Sequence, residues 1–293
     1  MYHREIMARF VRGGLAGVAS VAWLVACSGA FSAASLDGGT NEPRDAEAEP
    51  RDTAILDTSV LDAAPNDAGG DVVADARRPS PCVGQLLFCD DFEDTTKKVG
   101  ARWDTVREEV GTFDLDPTEV VSGERALRLR LAPGSGTRSS DLAKAIDLPS
   151  PNVRVTFDLS VDLAQDITSQ LLELLFVEPQ PYPSGVNFQA FEIIVGGPGP
   201  RLEAYRSFTD GGDSVDSVPV TIASRRYVRG VMELRHAQAN LSAQLSLDGQ
   251  VVGTRTFATP APTRVLLRIG APYTRSVTTP GTVRFDDVFV EAL

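Results

Sequence analysis

Glu173 and Glu178 close the segment ELLFVE, with four apolar residues between them. Two carboxyls about 5–5.5 Å apart can cleave a glycosidic bond with retention, one as nucleophile and one as protonated acid. On a regular strand, residues five apart point to opposite faces. The pair could therefore act together only if a β-bulge re-aimed one of them. Other chemistries have less to stand on. The chain has two histidines, and His236 has no nucleophile elbow to complete a Ser-His-Asp triad. Cys82 and Cys89 with a single histidine do not make a zinc site of usual spacing. The run GGPGP (196–200) lacks the Gly-Lys-Ser/Thr that completes a phosphate cradle, so it reads as a loop. No complete catalytic constellation is present, and the reading is of a non-enzyme.

The elements that must position these residues are strands. In RALRLRLA (125–132), Leu127, Leu129 and Leu131 alternate with arginines. In VRVTFDLSVD (153–162), Val153, Val155, Phe157, Leu159 and Val161 alternate with mostly polar residues. NLSAQLSLDGQVVGTRTF (240–257) runs through Asp248-Gly249 and returns, which is a hairpin signal. Further strands are expected near 86–92, 170–177, 188–195, 201–208, 226–235, 264–270 and 281–291. Ten to fourteen short strands without a helical stripe predict an all-β domain over 81–293, an antiparallel two-sheet jelly-roll sandwich.

Ahead of it lie two segments of other character. Residues 1–26 carry Arg4, Arg9 and Arg12 before the apolar run LAGVASVAWLVA, a pattern of export signals. The tetrad LVAC, ending at Cys27, resembles the lipobox of bacterial lipoproteins, which implies lipidation at Cys27 and membrane attachment through that lipid. Ser28 after it, by the same resemblance, points to the outer membrane. Residues 27–80 are rich in Asp, Ala and Pro, with 11 acidic and 4 basic side chains from Ser28 to Ser80. So little apolar surface cannot offset the entropy of ordering. A disordered tether of roughly 40 Å mean span is expected. The net charge of −12 argues against nucleic acid as a partner. In an exported chain, Cys82 and Cys89 are expected to form a disulfide, with Gly84 permitting the reversal between them.

Three landmarks carry a family resemblance: the opening LLFCDDFED (86–94), the pair of strands around the Asp-Gly turn in 227–253, and the closing GTVRFDDVFVEAL (281–293). Together they resemble the concanavalin A-like lectin/glucanase superfamily, in particular its laminin-G-like bacterial members. That resemblance implies a glycan as the leading ligand class, with an envelope protein as the alternative. Laminarinase-type members carry Glu-x-Asp-x-(x)-Glu, and here the central Asp is replaced by Leu175. The Arg-x-Glu-x-Arg motif of jelly-roll lyases is approached by RLEAYR (201–206), one residue too long. Related jelly rolls join their terminal strands around an ion. Asp90, Asp91 and Glu93 with Asp286 and Asp287 are thus candidates for a structural Ca²⁺, the one cofactor considered. Glycan sites stack sugars on exposed rings, and Tyr182 and Tyr273, both read as lying in Pro-containing loops, are the ligand-binding candidates.

Overall fold

A computed structural model describes residues 78–163, 171–197 and 199–293. The predicted signal, Cys27 and the predicted tether up to residue 77 lie outside the described residues. The described residues form fifteen strands and no helix. These are β1 (Phe88–Asp90), β2 (Thr105–Val106), β3 (Gly111–Asp116), β4 (Ala126–Leu131), β5 (Gly134–Asp147), β6 (Val153–Leu163), β7 (Leu171–Gln180) and β8 (Val186–Gly196). There follow β9 (Arg201–Phe208), β10 (Asp213–Pro219), β11 (Val228–Ala237), β12 (Asn240–Leu247), β13 (Gln250–Ala258), β14 (Arg264–Val277) and β15 (Gly281–Ala292).

They build two antiparallel sheets. One runs β13-β12-β11-β6-β15-β4-β3 with β1 added to β15, and the other runs β10-β9-β8-β7-β14-β5-β2. The chain crosses repeatedly between sheets: β4 to β5, β5 to β6, β6 to β7, β10 to β11, β13 to β14 and β14 to β15. That alternation is the jelly-roll sandwich expected from the period-two pattern. Each sheet turns one set of alternate residues inward. Leu127, Leu129, Val155, Phe157, Leu159, Val283 and Phe285 from the first meet Leu175, Val177, Phe191, Ile193, Leu267 and Ile269 from the second in one apolar core.

The Asp248-Gly249 turn has both residues at positive φ, 48° and 77°, as a two-residue hairpin of this twist requires. Cys82 and Cys89 are bridged, with Cα atoms 5.5 Å apart, and Gly84 between them takes φ 92°. Residues 78–80, assigned from sequence to the tether, are held against the domain. Arg78 pairs with Asp158 at 3.3 Å, and the Ser80 hydroxyl donates to Asp91. Trp103 is a core residue: its ring meets Phe88 edge-on at 4.9 Å, and Nε1 donates to Asp90 at 2.8 Å.

Candidate functional site

The strand that carries ELLFVE is bulged. Between Glu173 and Leu175 the pairing of β7 with β8 slips by one residue, and Leu174 is the extra one. Leu174, Leu175 and Val177 all join the core. Glu173, Phe176 and Glu178 consequently share the face turned away from it. The residue between the two glutamates on that face is Phe176, so Leu175, expected in the central slot, lies on the wrong side of the sheet.

Neighbouring strands add to this face in register. Glu203 of β9 stands opposite Glu192 of β8, Glu192 opposite Phe176 of β7, and Phe176 opposite Arg268 of β14. The adjacent row holds Arg201 opposite Ile194 and Ile194 opposite Glu173, with Asp141 of β5 opposite Gly270 at its far end. Glu173, Glu178, Glu192 and Glu203 are each 9% exposed or less, and Asp141 is fully buried.

The cations present are engaged. Arg201 Nε donates to Glu203, and its Nη1 donates to the carbonyls of Gly196 (2.7 Å) and Gly199 (3.2 Å). Arg268 donates to Asp141 at 3.3 Å and lies over the Phe176 ring at 5.7 Å. Glu178 accepts from the Tyr182 hydroxyl and from Gln180 Nε2. Glu173 Oε2 has no hydrogen-bond partner, and neither Glu173 nor Glu192 forms an ion pair among the described residues. Burial pushes the Glu173 carboxyl up to about 8, with Arg268 opposing and Glu203 and Asp141 adding to the rise. Burial, then repulsion from Glu173 and Glu203, holds Glu192 well above the usual carboxylate range. Glu173 is thus largely protonated near pH 7.

Beside the carboxyl rows stands a tier of rings. Phe176 stacks on Phe188 with centroids 5.4 Å apart, and Phe188 meets Tyr182 at 6.4 Å and Tyr205 at 5.8 Å. Tyr182 and Tyr205 are half-exposed. The lyase-like run RLEAYR divides by alternation. Arg201, Glu203 and Tyr205 face this site, while Arg206 turns away to lie over Phe257 at 4.5 Å and donate to Gln189. The third position of that pattern is therefore Tyr205. Tyr273 is not in a loop. It lies within β14, where the ladder to β7 breaks between Ile269 and Thr274. It is at the opposite end of the sheet from Tyr182, which follows the Gln180–Arg264 end of that ladder.

The expected calcium ligands find other partners. β1 and β15 do pair, with Asp90 opposite Val288. Asp90, however, accepts from Trp103 and from the Phe92 amide at 3.1 Å. Asp91 accepts from Ser80, and Glu93 from the amides of Glu124 and Arg125, each at 2.8 Å. A second bulge, between Asp286 and Phe289 with Asp287 at φ 49°, turns both aspartates toward Ser122. Asp286 accepts from the amides of Val121 and Ser122, and Asp287 accepts from the Ser122 hydroxyl and from Arg229. Each of these carboxylates thus accepts at least one protein donor. Among the described residues no three His, Cys, Asp or Glu side chains gather as a metal cage.

Glu192 and Glu203 were not singled out from sequence as partners of Glu173. One trace was available: FEIIV places a single carboxylate in a run that is otherwise apolar on both faces.

A scan against protein-family models finds no match for the chain, and a search of curated proteins finds none. Solved structures with similar traces include the cellulose-induced protein Cip1, 17% identical over 70% of this chain and 97% of that one, at a TM-score of 0.49. An alginate lyase, vAL-1 from a Chlorella virus, is 11% identical over 71% and 100% of the two chains, at 0.48. An endo-1,3-β-glucanase from Streptomyces sioyaensis is 16% identical over 73% and 98%, at 0.41. Likeness at this level is one of overall trace and says nothing of what a site binds.

Proposed function

We propose that the protein is a non-catalytic binding module whose ligand is a glycan, held on the outward face of the seven-stranded sheet. The observation that carries this reading is the junction of the Tyr182–Phe188–Tyr205 tier with rows of carboxyls and arginines on one face. Sugars present an apolar ring face and a rim of hydroxyls, and such a junction offers a partner to each. Lipidation at Cys27 would present this domain from the outer membrane. Labelling with radioactive palmitate that is lost in Cys27→Ser tests that part; equal labelling removes it.

The binding test is a glycan array probed with the purified chain and with Tyr182→Ala and Tyr205→Ala. Loss of about 1–3 kcal/mol of binding in either variant supports the reading, the range expected when a stacking ring is removed. Failure to bind any plant, bacterial or algal polysaccharide overturns it in favour of an envelope protein as partner. A second reading has one specific observation behind it: the bulge puts a protonated Glu173 on the same face as Glu178. An acid and a second carboxylate are the parts of a glycosidase. Turnover of an array hit, abolished by Glu178→Gln, would establish that reading over the first.

A further inference from the structure

We propose that Glu173, Glu192 and Glu203 form a subsite for an ammonium group, so that the glycan bound on this face is an amino sugar with free amines. The inference rests on the glycan reading above and narrows it. Two carboxylates directly opposite on paired strands destabilise a sheet, yet Glu192 and Glu203 are direct partners. A third, Glu173, follows in the next row, and all three are at least nine-tenths buried. Arg201 answers Glu203, but among the described residues no arginine bonds Glu192 or Glu173, and a local rule broken in this way marks a candidate functional site.

Among the described residues no side chain supplies a cation to Glu173 or Glu192. Arg201 is bonded to Glu203 and to two carbonyls, and Arg268 to Asp141. Among the described residues Glu173 Oε2 remains without a hydrogen-bond partner. An ammonium brings one positive charge and three donors in a compact group. Ca²⁺ demands six to eight oxygens in a cage, and this trio is not one. A partly exposed ring lies where the rest of the sugar would: Tyr205 is two residues beyond Glu203 on the same face.

Proton balance follows from the charged groups around the trio. These are Asp141 from β5, Arg268 from β14, Glu178 from β7, and Arg201 and Tyr205 from β9. With Glu173 protonated in the free protein at pH 5 and 6, an arriving ammonium displaces a carboxyl proton to solvent and pairs with the carboxylate left behind. Binding therefore releases protons and strengthens as pH rises, about tenfold per pH unit for each proton released, while the ligand amine stays charged.

The test is isothermal titration calorimetry on the full chain at pH 5 and 6, in buffers of different ionisation heat. The probes are the glucosamine tetramer, the N-acetylglucosamine tetramer and cellotetraose. The expected result is glucosamine binding at least tenfold tighter than either other sugar, release of about one proton, and loss of both the preference and the proton release in Glu192→Gln. That variant is isosteric and keeps the side chain neutral. Equal or better binding of the acetylated or neutral tetramer overturns the ammonium subsite and leaves the glycan reading standing. An amine preference undiminished in Glu192→Gln overturns the assignment to this trio. If no tetramer binds, the ammonium subsite falls, and the glycan array alone decides the glycan reading.

Discussion

The two sheets present outward faces of opposite electrostatic design. On the eight-stranded sheet, acids and bases alternate and meet. Arg128 bonds Asp114 and Asp116 at 2.7 Å each, Arg284 bonds Asp116 at 2.9 Å and Glu119 at 3.1 Å, and Arg154 bonds Glu233 and Glu291. Arg229 joins Asp158 to Asp287. On the seven-stranded sheet, five buried carboxyls gather on one face, and burial raises the pKa of Glu173 and Glu192. The first face is a closed network of charge. The second is a set of groups short of a partner, and the fold spends stability to keep it so.

The difference can be broken most strongly on the paired face. Asp116 is fully buried and accepts from Arg128, Arg284 and Thr118. Burial alone would raise its pKa, but the Thr118 bonds and the two guanidinium groups hold it well below the usual carboxylate range. Asp116→Ala leaves two arginines without their shared anion and is expected to cost about 3–5 kcal/mol in urea unfolding at pH 7. A loss under 1 kcal/mol would show that the network is decoration.

The next effect has the opposite sign. The folded pKa of Glu173 stands near 8 against an ordinary 4.5. Between these values the unfolded chain gives up a proton that the folded chain retains, so stability falls as pH rises through that window and levels off above it. For Asp116 the stabilisation is present above the ordinary carboxylate pKa and is lost as pH falls below it. Glu173→Gln should therefore be more stable than the parent at pH 8, by about 2–4 kcal/mol, and nearly equal to it at pH 4. A gain independent of pH would point to packing as its source and sink the account of a buried neutral acid.

The smallest effect separates exposure from pairing. Arg264 bonds Asp147 at 2.6 Å on the seven-stranded sheet, but both side chains are about half-exposed or more. Surface pairs of this kind contribute little. Arg264→Ala is expected to leave the unfolding midpoint unchanged; a clear shift would mean that ion pairs matter here whatever their burial.

How much of this was legible in the sequence depended on where the information resides. β4, β6, β9 and the β12–β13 hairpin announce themselves, because alternation and an Asp-Gly turn are local properties. β5 did not. Its sequence GSGTRSSDLAKAID opens on a run of Gly and Ser, and it becomes a fourteen-residue strand because β14 and β2 pair with it on either side. β10, an exposed edge strand with only two valines, was missed for the same reason. At the site, Glu173 and Glu178 were visible as chemistry, and the need for a bulge could be stated. Whether the bulge exists, and that Leu174 is the residue it absorbs, depends on the register against β8. The opposition of Glu192 and Glu203 is a relation between strands joined by a loop, and spacing along the chain does not encode it.

The Cys82–Cys89 bridge has a mechanical consequence. Cys89 sits in β1, directly opposite Phe289 of β15. Tension arriving from the N-terminal side passes from Cys82 through the sulfurs to Cys89 and bypasses Val83–Phe88. Those six residues could otherwise pay out roughly 20 Å of chain, at about 3.3–3.6 Å each. The bridge thus makes the domain a short-leashed load: once the Arg78 and Ser80 contacts give way, a pull reaches the seam between β1 and β15 with no slack to absorb it.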